Sequence, residues 1–330
     1  MQTSAHPDPQ ASAIPASTPS ASASSASLSS AATHSAPRAA PVDAAGKGRA
    51  RGASMAFPAS LVVLVIVLVP ILMLFRYSFE HFDPVKTMQA GFTFENYVKF
   101  FTDAYYRNVF FTTLGVAALC TALALVLGFP VAYFLAKTQS RYKSLLIILL
   151  VFPLLVGNVV RAAGWMIILG NAGAVNALLV GLGLTAEPIK LLYTPLAVVI
   201  GTTAVVLPYF ILTLQSVLEG IDFAVEEAAR NLGANFFTTL RRVVLPIAAP
   251  GVAAGTVLVF ILCMNAYATP VLLGGSGITM MAPALYDQIT RGSNWPFGSA
   301  LALVLVCATL LMALLSNWLI HRRYVKTMTS

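Results

Sequence analysis

The runs from Phe57 to Phe75 and from Asn108 to Ala136 contain no Asp, Glu, Lys or Arg. A helix rises about 1.5 Å per residue, so roughly 20 apolar residues cross a hydrocarbon core about 30 Å thick. Nothing in that core hydrogen-bonds a loose N–H or C=O, and a helix satisfies its own backbone. In a 330-residue chain that is 58% apolar and 10% charged, such runs predict an all-α, polytopic membrane protein.

Six spans are expected, over 57–77, 108–136, 144–169, 192–218, 247–270 and 298–320. Prolines at 70, 130, 153, 208 and 250 fall in or near them and read as kinks whose freed carbonyls neighbouring helices satisfy. Residues 1–50 are rich in Ala, Ser and Pro and lack large apolar residues at periodic positions. Such a segment cannot offset its ordering entropy, so a disordered tail is expected ahead of a membrane domain over 57–325. The tail is long and polar for a cleaved signal peptide, which makes an uncleaved first span the expectation.

A net charge of +8 would suit a nucleic-acid partner in a soluble chain, but here the positions of Lys and Arg can set topology instead. With the N-terminus cytoplasmic, thirteen of the twenty fall on that side: Arg38, Lys47, Arg49, Arg51, Lys137, Arg141, Lys143, Arg230, Arg241, Arg242, Arg322, Arg323 and Lys326. Six lie opposite, diluted by acids, and Arg161 lies within a span. Both termini and the loop after the fourth span are therefore expected in the cytoplasm. Cys120, Cys263 and Cys307 sit singly in apolar runs and the four histidines are scattered, so no metal site is expected.

That loop, 219–246, runs into the polar stretch "EEAARNLGANFFTTLRRVVLPIAAPGV" at 226–252. Asp222 can cap a helix with Glu226 and Glu227 in its first turns, where negative charge meets the positive end of the dipole. Val225, Ala228, Ala229 and Leu232 form an apolar stripe, and Glu226 and Arg230 an i, i+4 pair on another face. Gly233 fits the positive-φ position at a helix end, and Asn235 can cap a second helix carrying Phe236, Phe237, Leu240 and Val244, until Pro246 resets the chain for the fifth span. Physics alone leaves two uses for the stripe: a segment lying on the membrane interface, or a face that docks to a partner.

The spacing Glu227-Ala228-Ala229, three residues, Gly233, nine residues, Val243, one residue, Leu245-Pro246 resembles the EAA signature of permease subunits of binding-protein-dependent ABC importers. Val243 alone departs from that pattern, standing where the signature has isoleucine. The resemblance implies the type I importer permease architecture in a bacterial inner membrane. It implies a 222–246 loop docked on a dimer of cytoplasmic ATPase subunits, a second permease subunit, an extracytoplasmic binding protein and a small-molecule substrate. ATP and Mg would bind on the ATPase, with no cofactor on this chain. Glu227 and Gly233 would shape the elbow, and Phe236, Phe237 and Arg241 would make contacts. "FPLLVGNVVRAAGWMIILGNAGAVN", "YATPVLLGG" and "YDQITRGSNWPFGSALALVL" resemble the spermidine/putrescine branch, its first permease subunit above all. Branches for ferric iron, opines, thiamine or aminoethylphosphonate share much of these stretches and stay open as alternatives.

Within the spans, Arg161 could line a path or pair with an acid such as Asp287, and pairing is the favoured expectation. Trp165, Tyr267, Tyr286, Asp287 and Trp295 together supply the carboxylate and aromatic faces a polyamine route needs. Gly251 and Gly255 permit close helix approach. An ATP-independent transporter or channel is the alternative, but no chain of acids suited to ion coupling occurs in the spans, and an intramembrane enzyme would need a nucleophile and base there.

Overall fold

The computed structural model describes residues 43–89 and 91–328. The chain divides into two units, residues 1–61 and 62–330. In the first unit the described residues belong to a single helix, α1, which runs Asp43–Tyr77. Of the tail expected to be disordered over 1–50, residues 1–42 lie outside the described residues, while 43–50 are the first turns of α1. Ala44, Ala45, Lys47, Arg49 and Ala50 are good helix formers, and this propensity is what a composition-based reading of the tail passes over.

The second unit is helical throughout its described elements: α2 Glu95–Thr102, α3 Ala104–Lys137, α4 Lys143–Leu155, α5 Asn158–Leu169, α6 Ala174–Gly181, α7 Pro195–Leu218, α8 Ala224–Asn231, α9 Phe236–Thr239, α10 Leu245–Met264, α11 Met281–Thr290 and α12 Trp295–Met328. Two π turns, Leu240–Val244 and Pro270–Gly274, lie before and after α10. Among the described residues six segments are long and apolar enough to cross a membrane: Ser60–Tyr77, Ala104–Lys137, Asn158–Gly181, Pro195–Leu218, Phe236–Met264 and Trp295–Ser316.

The third segment departs from expectation. The apolar run 144–169 is two helices, because Pro153 sits in the last turn of α4 and the chain goes extended at Val156 and Gly157 before α5 begins. A proline ring collides with the carbonyl four residues back and supplies no N–H to the helical ladder, which weakens the last turn of α4 before the chain goes extended. At about 20 Å, α4 is too short to cross alone. Pro246 stands where the sequence resets the chain for the fifth span, at the first positions of α10. The π turn just before it, closed by the Leu245 N–H donating to the Leu240 carbonyl, widens the helix and makes room for the ring.

The core lies where α3, α7 and α10 pack together. Phe210 and Leu214 of α7 are fully buried, as are Val259 and Cys263 of α10 and Ala117 and Cys120 of α3. Small residues bring the backbones close: a Cβ on Gly128 would lie 2.5 Å from the Phe210 ring, and one on Gly251 would lie 2.6 Å from Val217 Cβ. Gly255, one turn beyond Gly251, faces the same Phe210 ring at 3.1 Å. Between apolar helices in lipid, van der Waals contact of this kind supplies much of the association energy. Buried hydroxyls on α3 are met locally, Thr113 and Thr121 donating to carbonyls four residues back, while Thr113 also accepts the Met281 N–H and ties α11 to α3.

Helix ends are set by side chains the sequence supplies. Thr194 caps α7 ahead of Pro195, and Asp103 and Asn294 cap α3 and α12. At 34 residues, α3 is about 50 Å long, well over a hydrocarbon thickness of about 30 Å, so it has turns to spare beyond a single crossing. That overhang carries Tyr133 and Lys137 to the loop.

The glycine contacts predict a contrast. Gly251→Ala should lower stability in detergent by about 1–3 kcal/mol through forced overpacking on Val217. Gly115→Ala, with nothing within 4 Å of its added carbon, should be neutral or slightly stabilising; thermal unfolding of the two purified variants checks both.

Candidate coupling loop and cavity

Past α7, Asp222 accepts the Ala224 N–H at 2.9 Å and starts α8. The Glu226 carboxylate, in the first turn, is 2% exposed and receives three donors. The Tyr133 hydroxyl donates to Oε2 at 2.7 Å, the Lys137 ammonium reaches Oε1 at 2.7 Å, and the Arg230 guanidinium reaches the same oxygen at 2.6 Å. Phe223 and Phe236 close around Tyr133, each ring centroid 6.3 Å from its own. Burial alone would raise the Glu226 pKa, but the hydrogen bonds and charges of Lys137, Tyr133 and Arg230 outweigh it and hold the carboxyl below the usual range.

Gly233 takes φ +87°, the elbow the sequence predicts, and Asn235 Oδ1 accepts the Thr238 N–H at 2.8 Å to cap α9. Leu240 and Val244 turn inward, whereas Val225, Leu232, Phe236 and Phe237 face outward, Leu232 at 90% and Phe237 at 76% exposure. Glu227, Ala228, Arg241, Leu245 and Pro246 are exposed and Ala229 is half-buried. Glu227 makes no ion pair among the described residues. The i, i+4 pair of Glu226 and Arg230 forms as its spacing predicts; the link of Glu226 to Tyr133 and Lys137 has no local signal, since the partners lie 93 and 89 residues away.

On the far side of α10 a cavity of about 410 Å³ is lined by Tyr267, Pro270, Val271, Ile278, Asp287 and Arg291 among others. Tyr286 packs on Tyr267 with ring centroids 4.9 Å apart and planes tilted by 56°. Three of the five path residues, Tyr267, Tyr286 and Asp287, are thus gathered. The other two are not: Trp165 of α5 packs against the core, and Trp295, 43% exposed, opens α12 without lining the cavity.

The expected pairing of Arg161 with Asp287 does not form. Asp287 Oδ1 meets Arg291 Nε at 3.3 Å one turn along α11, and Arg161 donates to Asn158 one turn back on α5. A partner on the same helix needs no long loop to close, so the local pairs win. Arg161 Nε and Nη1 remain buried without a partner among the described residues.

Comparison with known proteins matches residues 88–323 to the family described as binding-protein-dependent transport system inner membrane component. The spermidine/putrescine transport system permease protein PotB of Haemophilus influenzae is 34% identical over 267 residues, which cover 79% of this chain and 92% of that protein. PotB of Escherichia coli K12 is 34% identical over 252 residues, covering 76% and 91%. A crystal structure of a bacterial alginate ABC transporter, in complex with an alginate pentasaccharide-bound periplasmic protein, superposes with a TM-score of 0.71 at 16% identity, over 86% of this chain and 98% of its own. That likeness establishes the shared helical fold, and the two sequence relationships cover most of the membrane unit. This chain is a multi-pass member of the binding-protein-dependent transport system inner membrane component family.

Proposed function

We propose that this chain is one of two permease subunits of an ATP-driven importer for polyamines such as spermidine and putrescine. An extracytoplasmic binding protein delivers the substrate, and a dimer of ATPase subunits, which binds the ATP and Mg, docks on the cytoplasmic loop 219–246. Both termini lie in the cytoplasm, as the distribution of Lys and Arg supports. The observation that carries the reading is the uncovered apolar face of the loop, Val225, Leu232, Phe236 and Phe237, on two capped helices joined at Gly233. An apolar face held rigid by a buried carboxylate on its other side is preorganised for a protein groove. The exposed Glu227, Arg241 and Arg242 supply a polar rim.

The polyamine reading rests on the relatives named as spermidine/putrescine permeases and on the chemistry of the cavity. Asp287 offers a carboxylate, and Tyr267 and Tyr286 offer ring faces to an ammonium group. Arg291 competes for Asp287, and at 80% exposure its guanidinium is free to swing away when a substrate ammonium arrives. The route through the membrane is shared with the second permease.

Three outcomes follow. Phe237→Asp should leave the permease inserted but release the ATPase subunits on purification, because a carboxylate enters an apolar contact of the kind that dominates such interfaces; ATPase retained at native stoichiometry would remove the docking assignment. Asp287→Asn should raise the KM for spermidine uptake about fivefold, what ~1 kcal/mol from a partly exposed charge provides; radiolabelled uptake into proteoliposomes measures it. The depressed Glu226 pKa means its anchorage is complete above the ordinary value of 4.5 and is lost as pH falls through the lower, folded value. The protection of amides 224–232, measured as exchange relative to the unfolded-chain rate at the same pH, should accordingly be high at pH 6 and fall sharply at pH values well below 4.5.

A further inference from the structure

The α3–α4 turn, residues 138–142, has a lysine at each end. Lys137, the last residue of α3, bonds Glu226 at 2.7 Å; Lys143, the first of α4, bonds Glu219 at 2.8 Å. The two carboxylates in turn flank the segment 220–225 that leads from α7 into α8. Gln215 steadies Glu219 with an Nε2 donation at 3.1 Å, and the Tyr133 hydroxyl steadies Glu226. The Lys137 ammonium also lies 5.8 Å and 5.7 Å from the ring centroids of Tyr133 and Phe223. Two neighbouring connections are therefore pinned to each other at two points.

Among the described residues the rest of the loop has no ion pair to α3, only the contact of the Phe236 ring with Tyr133. The backbone of α8 packs on α9 and on the π turn before α10, and its bonds to α3 run through side chains. Besides its backbone entry from α7, two routes lead away from the loop. One is continuous backbone, α9 through the π turn into α10. The other passes through the lysines to the ends of α3 and α4. Beyond α4 it crosses the break at 156–157 into α5, which packs on the π turn Pro270–Gly274, and Pro270 and Val271 of that turn line the cavity.

We propose that Lys137–Glu226 and Lys143–Glu219 form a two-point clamp through which movement of the coupling loop is delivered to the α3–α4 turn. These four side chains are positioning residues that act behind the ATPase contact and touch neither ATPase nor substrate. The proposal rests on the reading that the ATPase docks on the outer face of the loop.

The test uses the complete importer, with its ATPase, second permease and binding protein, in proteoliposomes, and reads substrate carried per ATP hydrolysed. Methionine keeps the apolar stem of lysine, and Lys137 and Lys143 are 40% and 27% exposed, so Lys137→Met with Lys143→Met should fold. Tyr133 and Arg230 still bond Glu226 in the double variant and keep the outer face of the loop in place, so it should co-purify with the ATPase and hydrolyse ATP, while substrate carried per ATP falls at least about fivefold, the lower range of a coupling free energy between sites. Lys137→Arg with Lys143→Arg should restore the ratio. A merely structural defect would lower assembled complex and both rates together and leave their ratio unmoved. An unchanged ratio in the double methionine variant overturns the clamp, and so does loss of the ATPase from it, which would make the pairs part of docking instead. Failure of the docking reading shows separately, as an ATPase still bound to Phe237→Asp.

Discussion

A carboxylate that is 2% exposed has to be paired, because removing one charge from water costs more than a single surface contact returns. Glu226 meets that demand with a phenol and an ammonium from α3 and a guanidinium from its own helix. Each donor fixes a different direction, so α8 can take only one orientation against the end of α3. The loop's outward face is then a consequence: with Glu226 turned in, Val225 and Leu232 lie on the free side, and the Gly233 elbow sets α9 so that Phe237 joins them. A flexible loop of the same composition would collapse its apolar residues onto the membrane surface. The buried ion cluster is what holds them out, on the face proposed to dock.

Close packing of α3, α7 and α10 gives this cluster something rigid to pull on. Gly128, Gly251 and Gly255 let the helices approach until the Phe210 ring and Val217 fill the seam, and a 34-residue α3 then carries the contact from the core out past the membrane surface. The break between α4 and α5 has the opposite character. The break at 156–157 interrupts the backbone ladder between the proposed clamp and the helix that packs on the turn beside the cavity. A few residues at such a break can absorb a change of angle between two otherwise stiff helices.

Much of this was legible in the sequence, and the exceptions share a cause. Span number follows from uncharged length, the elbow from Gly233 and the caps from Asp222 and Asn235, all local signals. The broken third segment is harder to read, because Pro153 in an oily run signals a kink as readily as a break. Pro246 opens α10 as its place before the fifth span predicts, while the π turn ahead of it has no local signal. The partners of Glu226 and Glu219 are out of reach of any periodicity, being set by how α3 and α4 meet the loop in space. For Asp287 the local signal was present: Arg291 stands at i+4 and takes precedence over the distant Arg161.

A distance across the clamp during turnover tests the central claim most directly. Spin labels on Gln139→Cys, in the α3–α4 turn, and Asn231→Cys, at the end of α8, would report it in an importer whose Cys120, Cys263 and Cys307 are replaced by alanine. Each label should move relative to a third on the opposite side of the membrane when ATP is bound and then hydrolysed, while the Gln139–Asn231 distance distribution stays narrow and unshifted. A distribution that broadens or shifts with the nucleotide state would mean that loop and turn move independently, and the buried carboxylate would then hold the loop without transmitting its motion.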